Sequence, residues 1–381
     1  MVSRRQFMQA APLGALSLAG LGLPMAALAA ARTIEDIPPD RIVSFLGDNV
    51  PSRPAQLPAR LLAAMKGRED IGDVYLAEGA TGALERQFAR MLGKEDAAFM
   101  PSGTMANQIA IRLHCAGRSR VLLQEESHVY RDESDAVAVM SSINPVPVAG
   151  GASEGLYDGM LAAFARSGED PFPVDVGAVS IESPVRRLDG ATVKQETIAR
   201  IAALAHGKGA RMHLDGARLL LMCGLPGFDL RSYCGPFDSV YVSLYKYLGA
   251  PFGAILAGDK AFVDKARQAR HVFGGALYHG WTAAILAAKT LDGFEERFAR
   301  VHSAAEDLLA RLAKKPGVTV ERVVDGSNIV FLRLDENVAT GLRERLTEHD
   351  IAIRKVRDGR LQLVFNETIL RKPVASIAAA F

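Results

Sequence analysis

Between residues 96 and 260 the chain alternates short apolar runs with longer stretches in which apolar residues recur every three or four positions. "DAAFM" (96–100) runs directly into "PSGTMANQIAIRLHCAG", and "RVLLQ" (120–124) and "VAVMSS" (137–142) follow as short apolar strands. "VGAVSIES" (176–183), the helical "KQETIARIAALAHGKG" (194–209), "ARMHLDGA" (210–217) and "SVYVSLY" (239–245) continue the pattern. Strand and helix periods in alternation predict a mainly parallel sheet covered by helices. Upstream, "ATGALERQFARMLG" has a helical period and ends on Gly93, a residue suited to a helix C-cap. Residues 31–60 carry Pro38, Pro39, Pro51, Pro54 and Pro58 and read as an extended arm.

Past about residue 265 the texture changes. "RFARVHSAAEDLLARLAKK" predicts a long amphipathic helix, followed by strands "NIVFLRL" and "RLQLVFN" around a helical "GLRERLTEHD". The expected organisation is an N-terminal arm (30–60), a large sheet domain (61–265) and a small α+β domain (266–381).

The first residues belong to a different class. Arg4 and Arg5, then Phe7, precede an apolar run of small residues and Leu that closes on Ala27-Leu28-Ala29. A small-x-small ending of this kind is the pattern of a signal peptidase site. Ser-Arg-Arg-x-Phe resembles a twin-arginine export signal, so residues 1–29 are expected to be removed and the protein delivered to the periplasm with no membrane anchor. Removing two arginines and no acid takes the formal charge from +2 to zero. A balance of 45 basic and 43 acidic residues gives no reason to expect a nucleic-acid partner. Three cysteines, Cys115, Cys223 and Cys234, make no disulfide framework, and no Cys/His spacing suggests zinc.

Three strand ends carry candidate chemistry. In "FMPSGTMANQ" a strand meets a helix through Ser102, Gly103 and Thr104. A helix N-terminus there would suit a phosphate, with Gly103 permitting close approach and two hydroxyls adding donors; an ordinary N-cap is the alternative. "RMHLDGAR" ends a strand on Asp215, followed by Arg218. An acid in that place serves as a metal ligand, a nucleotide contact, a partner for a protonated ring nitrogen, or a plain N-cap. Lys246 ends the apolar run of "SVYVSLYKYLGAPFGA", where an unpaired ammonium is costly unless it snorkels to water. An anion site, an acid and a lysine together form the set that pyridoxal 5'-phosphate requires, the lysine forming a Schiff base with the aldehyde.

With these residues in view, the sequence resembles the low-specificity threonine aldolase and aromatic amino acid β-eliminating lyase family, from about residue 42 onward. "GDVYLAEGATGALE", "FMPSGTMANQ", "ESHVYRDE", "HLDGAR" and "SLYKYLGAPFGA" carry the resemblance in order. It implies a fold-type I pyridoxal phosphate enzyme, aspartate aminotransferase-like, with a seven-stranded, mainly parallel sheet and a small α+β domain. It also implies Lys246 as the Schiff-base lysine, Asp215 as the pyridinium partner, and Ser102, Gly103 and Thr104 at the phosphate. His128 would stack on the cofactor ring and assist proton transfer. Arg218 would lie near the cofactor oxygen and the substrate carboxylate, with Asp48 and Arg187 also on the substrate side. Sites of this fold type are completed by a second subunit, so a homodimer or homotetramer is expected.

Departures fall on the substrate side. Gly47 stands where the family has serine, and Val185 where it has a histidine associated with the substrate's β-hydroxyl. Tyr278 and Gln362 each stand at the place of an arginine, the second a carboxylate binder that Arg186 or Arg187 would replace. The expected activity is an exported lyase that cleaves a β-hydroxy-α-amino acid to glycine and an aldehyde. β-Elimination, racemisation and a non-catalytic cofactor-binding role are the alternatives.

Overall fold

The computed structural model describes residues 32–381 except 69, 154, 170 and 171. The expected signal peptide, residues 1–29, lies outside the described residues.

Twelve strands are present among the described residues. β1 is Val43–Ser44. β2 (Asp96–Met100), β3 (Arg120–Gln124), β4 (Asn144–Val148), β5 (Val176–Glu182), β6 (Arg211–Asp215), β7 (Ser239–Ser243) and β8 (Ala254–Gly258) build one sheet in the order β2-β8-β7-β6-β5-β3-β4. β3 to β7 pair in parallel, whereas β8 runs antiparallel to both of its neighbours. β2 therefore points the same way as β7. Every position of β5, β7 and β8 is buried, as expected of strands covered on both faces. The result is the expected α/β sheet of seven strands.

One strand lies elsewhere than its composition suggested. "VAVMSS" is not a strand: Ala136–Ser141 is a helix, and the strand falls on "NPVPV". In the helix only Val137 is buried, while Val139 is 77% and Met140 47% exposed, so its apolar run does not define a buried strand face. Pro145 and Pro147 are tolerated because β4 is the outermost strand, next to β3 alone.

Helix α1 spans Leu57–Met65, α2 spans Gly79–Leu92 and α3 spans Gly103–Cys115. α2 ends as expected on Gly93, which adopts the left-handed conformation at φ 66°. It packs on β2 and on the helix Trp281–Leu291, which also meets α1. α3 lies against the sheet and the helix Lys260–Val272.

The C-terminal part contains β9 (Val318–Arg322), β10 (Ile329–Leu334), β11 (Ile351–Ala352) and β12 (Arg360–Val364). β12, β10 and β9 form an antiparallel sheet, and β11 pairs in parallel with β1. The long helix Phe294–Leu312 buries Phe298, Val301, Ala305, Leu308, Leu309 and Leu312, a three-and-four spacing that forms one apolar face. The arm is thus built into the C-terminal elements: Phe45 N donates to Ala352 O, and Phe45 O accepts from Val364 N. Among the described residues no helix is long and apolar enough to cross a membrane.

Candidate active site

Because β2, β3, β5, β6 and β7 all point one way, their carboxyl ends meet at one edge of the sheet, where ligands of open α/β sheets bind. Asp215 closes β6, Glu182 closes β5, His128 follows β3, and α3 begins just after β2. Lys246 lies in the connection between β7 and β8. It is half-buried, its Nζ 5.2 Å from the centre of the Tyr245 ring, and it makes no hydrogen bond or ion pair with the described residues.

At the start of α3, Ser102 Oγ accepts from Met105 N at 3.2 Å, which is ordinary N-capping. The Gly103 and Thr104 N–H groups remain at the open end of the helix, a setting that favours an anion. Gly103 has a second role that the sequence did not show. A Cβ there would lie 1.9 Å from Tyr241 Oη, so the phenol of β7 occupies the side-chain space. Ser243 Oγ, buried beside that phenol and three residues before Lys246, has no well-formed hydrogen bond.

Asp215 is 1% exposed. Its Oδ2 accepts from Asn107 Nδ2 at 2.9 Å and its Oδ1 from Ala217 N at 3.2 Å. Asn107 Nδ2 also donates to Glu133 Oε1 at 3.0 Å, and Gln108 Nε2 donates to Glu133 Oε2 at 2.7 Å. Glu133 Oε1 lies 3.1 Å from His128 Nδ1. This hydrogen bond holds the His128 imidazole above its ordinary pKa against the effect of burial, and the charges of Asp215, Glu133 and Glu182 add to it. Glu182 accepts from His128 N at 2.6 Å and from Arg186 N at 2.9 Å. Burial and then the charge of Asp215 push its carboxyl up to about 7.

Arg218 Nε donates to Asp48 Oδ2 at 2.7 Å, and Asp48 Oδ1 accepts from Asn328 Nδ2 at 3.1 Å. Two of the expected substrate-side residues therefore form one ion pair. Arg187 is engaged differently. Its Nη2 and Nε, at 2.7 and 3.2 Å, hold Asp132, which also takes Arg186 Nη2 at 2.7 Å. Both guanidiniums thus pin the segment that follows His128.

The departures are also placed. Val185 is fully buried and bridges to Ala191, and Gly47 O accepts from Asn366 Nδ2 at 2.7 Å. Tyr278 is exposed, packed edge-on against Tyr75 with ring centres 5.4 Å apart. Gln362 is half-buried and lines a cavity of about 620 Å³ with Phe331, Arg354, Lys355, Arg357 and Arg360.

Asn107, Glu133, Glu182 and His213 are the site-associated residues that sequence reading missed. Asn107 and Glu133 lie inside quoted motifs, and His213 stands two positions before Asp215, on the same face of its strand. That shared face was the available signal.

The donor set fits pyridoxal phosphate. Asp215, Glu133 and Glu182 are buried acids with no Lys or Arg ion pair among the described residues; the charges of Arg218 on Asp215 and Glu182 and of Arg187 on Glu182, and the His128 contact with Glu133, are the cations near them. A pyridinium would add positive charge beside these acids, the α3 amides would meet a phosphate, and Lys246 is free to react. No cluster of metal-ligating side chains is present among the described residues.

Residues 44–335 match the family model described as β-eliminating lyase. A low specificity L-threonine aldolase of Saccharomyces cerevisiae is 31% identical over 82% of this chain and 80% of its own. Low-specificity L-threonine aldolase 1 of Arabidopsis thaliana is 28% identical over 84% of this chain and 90% of its own. Among solved structures, a Listeria monocytogenes protein provisionally named an L-allo-threonine aldolase superposes with a TM-score of 0.74. It is 26% identical, and the match covers 89% of this chain and 95% of that one.

Proposed function

The chain belongs to the β-eliminating lyase family and is a pyridoxal phosphate-dependent carbon–carbon lyase; from this premise we propose that it cleaves a β-hydroxy-α-amino acid to glycine and an aldehyde. When bound, the cofactor supplies an electron sink for the carbanion left at Cα. The chain's residues have the following roles in this reading. Lys246 holds the cofactor covalently, Asp215 pairs with its ring nitrogen, and Ser102, Gly103 and Thr104 hold its phosphate. Arg218, fixed by Asp48, binds the substrate carboxylate, and Arg187, held by Asp132, shares with it the nearby charge of Glu182.

The observation that carries the reading is the hydrogen bond between His128 Nδ1 and Glu133, one amide away from Asp215. It sets Nδ1 as the donor to a carboxylate and leaves Nε2 as the nitrogen that exchanges a proton with the β-hydroxyl. Val185 favours a second reading. An apolar, fully buried side chain occupies the position of a β-hydroxyl histidine, so β-elimination or racemisation on an unusual amino acid would make less demand on this site.

Holoenzyme incubated with threonine, allo-threonine and phenylserine tests the choice. Glycine and the matching aldehyde in equal amounts are expected. Loss of the optical activity of an amino acid, or keto acid without aldehyde, would replace aldol cleavage by the second reading.

The proposal extends to location and assembly. Arg4, Arg5 and the Ala27-Leu28-Ala29 ending support export by the twin-arginine route to the periplasm as a folded, cofactor-loaded protein. Replacing Arg4→Lys with Arg5→Lys should retain the loaded enzyme in the cytoplasmic fraction, and normal delivery of that variant would remove the export claim. The exposed Tyr75 and Tyr278 support a homodimer or homotetramer whose partner covers them, which light scattering of the holoenzyme checks.

A further inference from the structure

His213 is fully buried in β6, where a β-branched aliphatic residue would pack at no polar cost. Both ring nitrogens are used. Nδ1 is 2.8 Å from Ser239 Oγ and Nε2 is 3.0 Å from Asn107 Oδ1. Ser239 Oγ is in turn 2.7 Å from Nε2 of His114, whose ring stacks on Phe262 at 4.7 Å.

The direction of each hydrogen bond follows from the far end of this chain of contacts. Asn107 Nδ2 lies within hydrogen-bond distance of Glu133 Oε1 and Asp215 Oδ2 and donates to both, so the amide turns its nitrogen toward the two carboxyls. Its oxygen then faces His213, which must carry its hydrogen on Nε2. His213 Nδ1 is left to accept from the Ser239 hydroxyl, and Ser239 accepts from His114 Nε2–H. Burial keeps both rings neutral, pushing His213 down to about 3 and His114 to about 4.

We propose that His213 is a positioning residue for the acid at the cofactor's ring nitrogen, acting through Asn107. Its Nε2–H fixes the amide so that one Asn107 hydrogen points at Asp215 and the other at Glu133. Without that donor the amide is free to rotate and turn its oxygen toward two carboxylates. Repulsion would then displace Asp215 or protonate it. The inference rests on the reading of Asp215 as the pyridinium partner and adds a residue that does not itself reach the site.

The test uses His213→Phe, which removes the donor, and His213→Gln, whose amide N–H reaches the same place. In H213F the cofactor dissociation constant should rise roughly 10–100-fold, the cost of one misdirected buried hydrogen bond. The pH midpoint of the bound-cofactor absorbance should move with it. H213Q should stay within about threefold of the parent, and adding H213F to Asn107→Leu should change affinity by less than about threefold. Equal losses from H213F in the two backgrounds, or an H213Q as impaired as H213F, overturn the proposal. A variant-free measurement stands beside these. Nitrogen-15 spectra of histidine-labelled holoenzyme at pH 7 should show His213 as the neutral Nε2–H tautomer, and an Nδ1–H tautomer or an imidazolium overturns the proposal. Asp215→Asn separates the two levels: full cofactor affinity in that variant would remove the pyridinium assignment while leaving the His213 tautomer result intact.

Discussion

Arg218 Nε lies 2.7 Å from Asp48 Oδ2, an ion pair whose side chains are only 15% and 12% exposed. It ties the arm to the strand end of β6 through Nε and leaves the Arg218 Nη groups outside the pair. Replacing Asp48→Ala should cost about 1–3 kcal/mol, mostly from the guanidinium left without its partner. Asp48→Asn keeps an acceptor and should cost less. In both variants KM for the amino acid should rise more than kcat falls, because Arg218 loses its orientation but not its charge. Urea titration and steady-state kinetics check both parts; an unchanged KM in Asp48→Ala would detach Arg218 from substrate binding.

Gly103 and Tyr241 make the second pair. Gly103→Ala places a methyl 1.9 Å from Tyr241 Oη and 2.5 Å from Cζ, so overpacking should cost about 1–3 kcal/mol and weaken cofactor retention. Tyr241→Phe removes the hydroxyl but not the ring carbon. It should therefore restore only part of the loss in the double variant. Thermal melts of the single and double variants measure the coupling, and simple additivity would show that the two residues do not compete for space.

A third prediction concerns Asp73, from the same motif as Tyr75. Its buried carboxylate accepts from Gly280 N at 2.9 Å, Trp281 N at 3.0 Å and Thr81 Oγ1 at 3.1 Å. It thereby caps the helix Trp281–Leu291 from a distant part of the chain. Asp73→Ala should cost about 2–4 kcal/mol, since these donors lose their partner inside the protein. Asp73→Asn, with one carbonyl oxygen remaining, should recover part of the urea midpoint.

Acid should destabilise the protein through two buried histidines, with Glu182, raised to about 7 and so protonated first in the folded state, offsetting part of the effect. His114 and His213 have folded pKa values of about 4 and about 3, both below the ordinary 6.5. Below pH 6.5 the unfolded chain therefore takes up protons that the folded chain refuses. Stability is full above 6.5 and falls as pH drops toward 4, by up to about 1.4 kcal/mol per pH unit for each group. Urea midpoints at pH 7, 6 and 5 should decline, and His213→Gln should flatten the decline. A decline as steep in His213→Gln as in the unaltered protein would contradict the buried neutral state of His213.

Much of the site was legible because it sits where regular apolar runs stop. Ser102-Gly103-Thr104, Asp215 and Lys246 each interrupt a strand or helix pattern, and a polar residue at such an edge is visible in one dimension. Asn107 and His213 are polar residues inside elements, and apart from the strand face that His213 shares with Asp215 nothing local distinguishes a buried, bonded side chain from a solvated one. Their roles depend on pairs far apart in the chain, as with the hydrogen bond from His213 to Asn107. β4 was misplaced for a related reason. The apolar content of "VAVMSS" outweighed the prolines of "NPVPV", although an edge position removes the penalty that proline carries elsewhere.

The pairing of β1 with β11 has a consequence for biosynthesis. Val43 and Ser44 take their register from Ile351 and Ala352, and Asn366 Nδ2 closes on Ser44 O and Gly47 O. A nascent chain emerging from the ribosome can complete the seven-stranded sheet while these partners are still untranslated. The segment bearing Asp48 must wait. A product halted before residue 351 would hold Lys246, Asp215, Arg218 and Asn328 but lack the backbone partners of Val43, Ser44 and Gly47, so translation has to pass residue 366 before the segment bearing Asp48 is held on both sides.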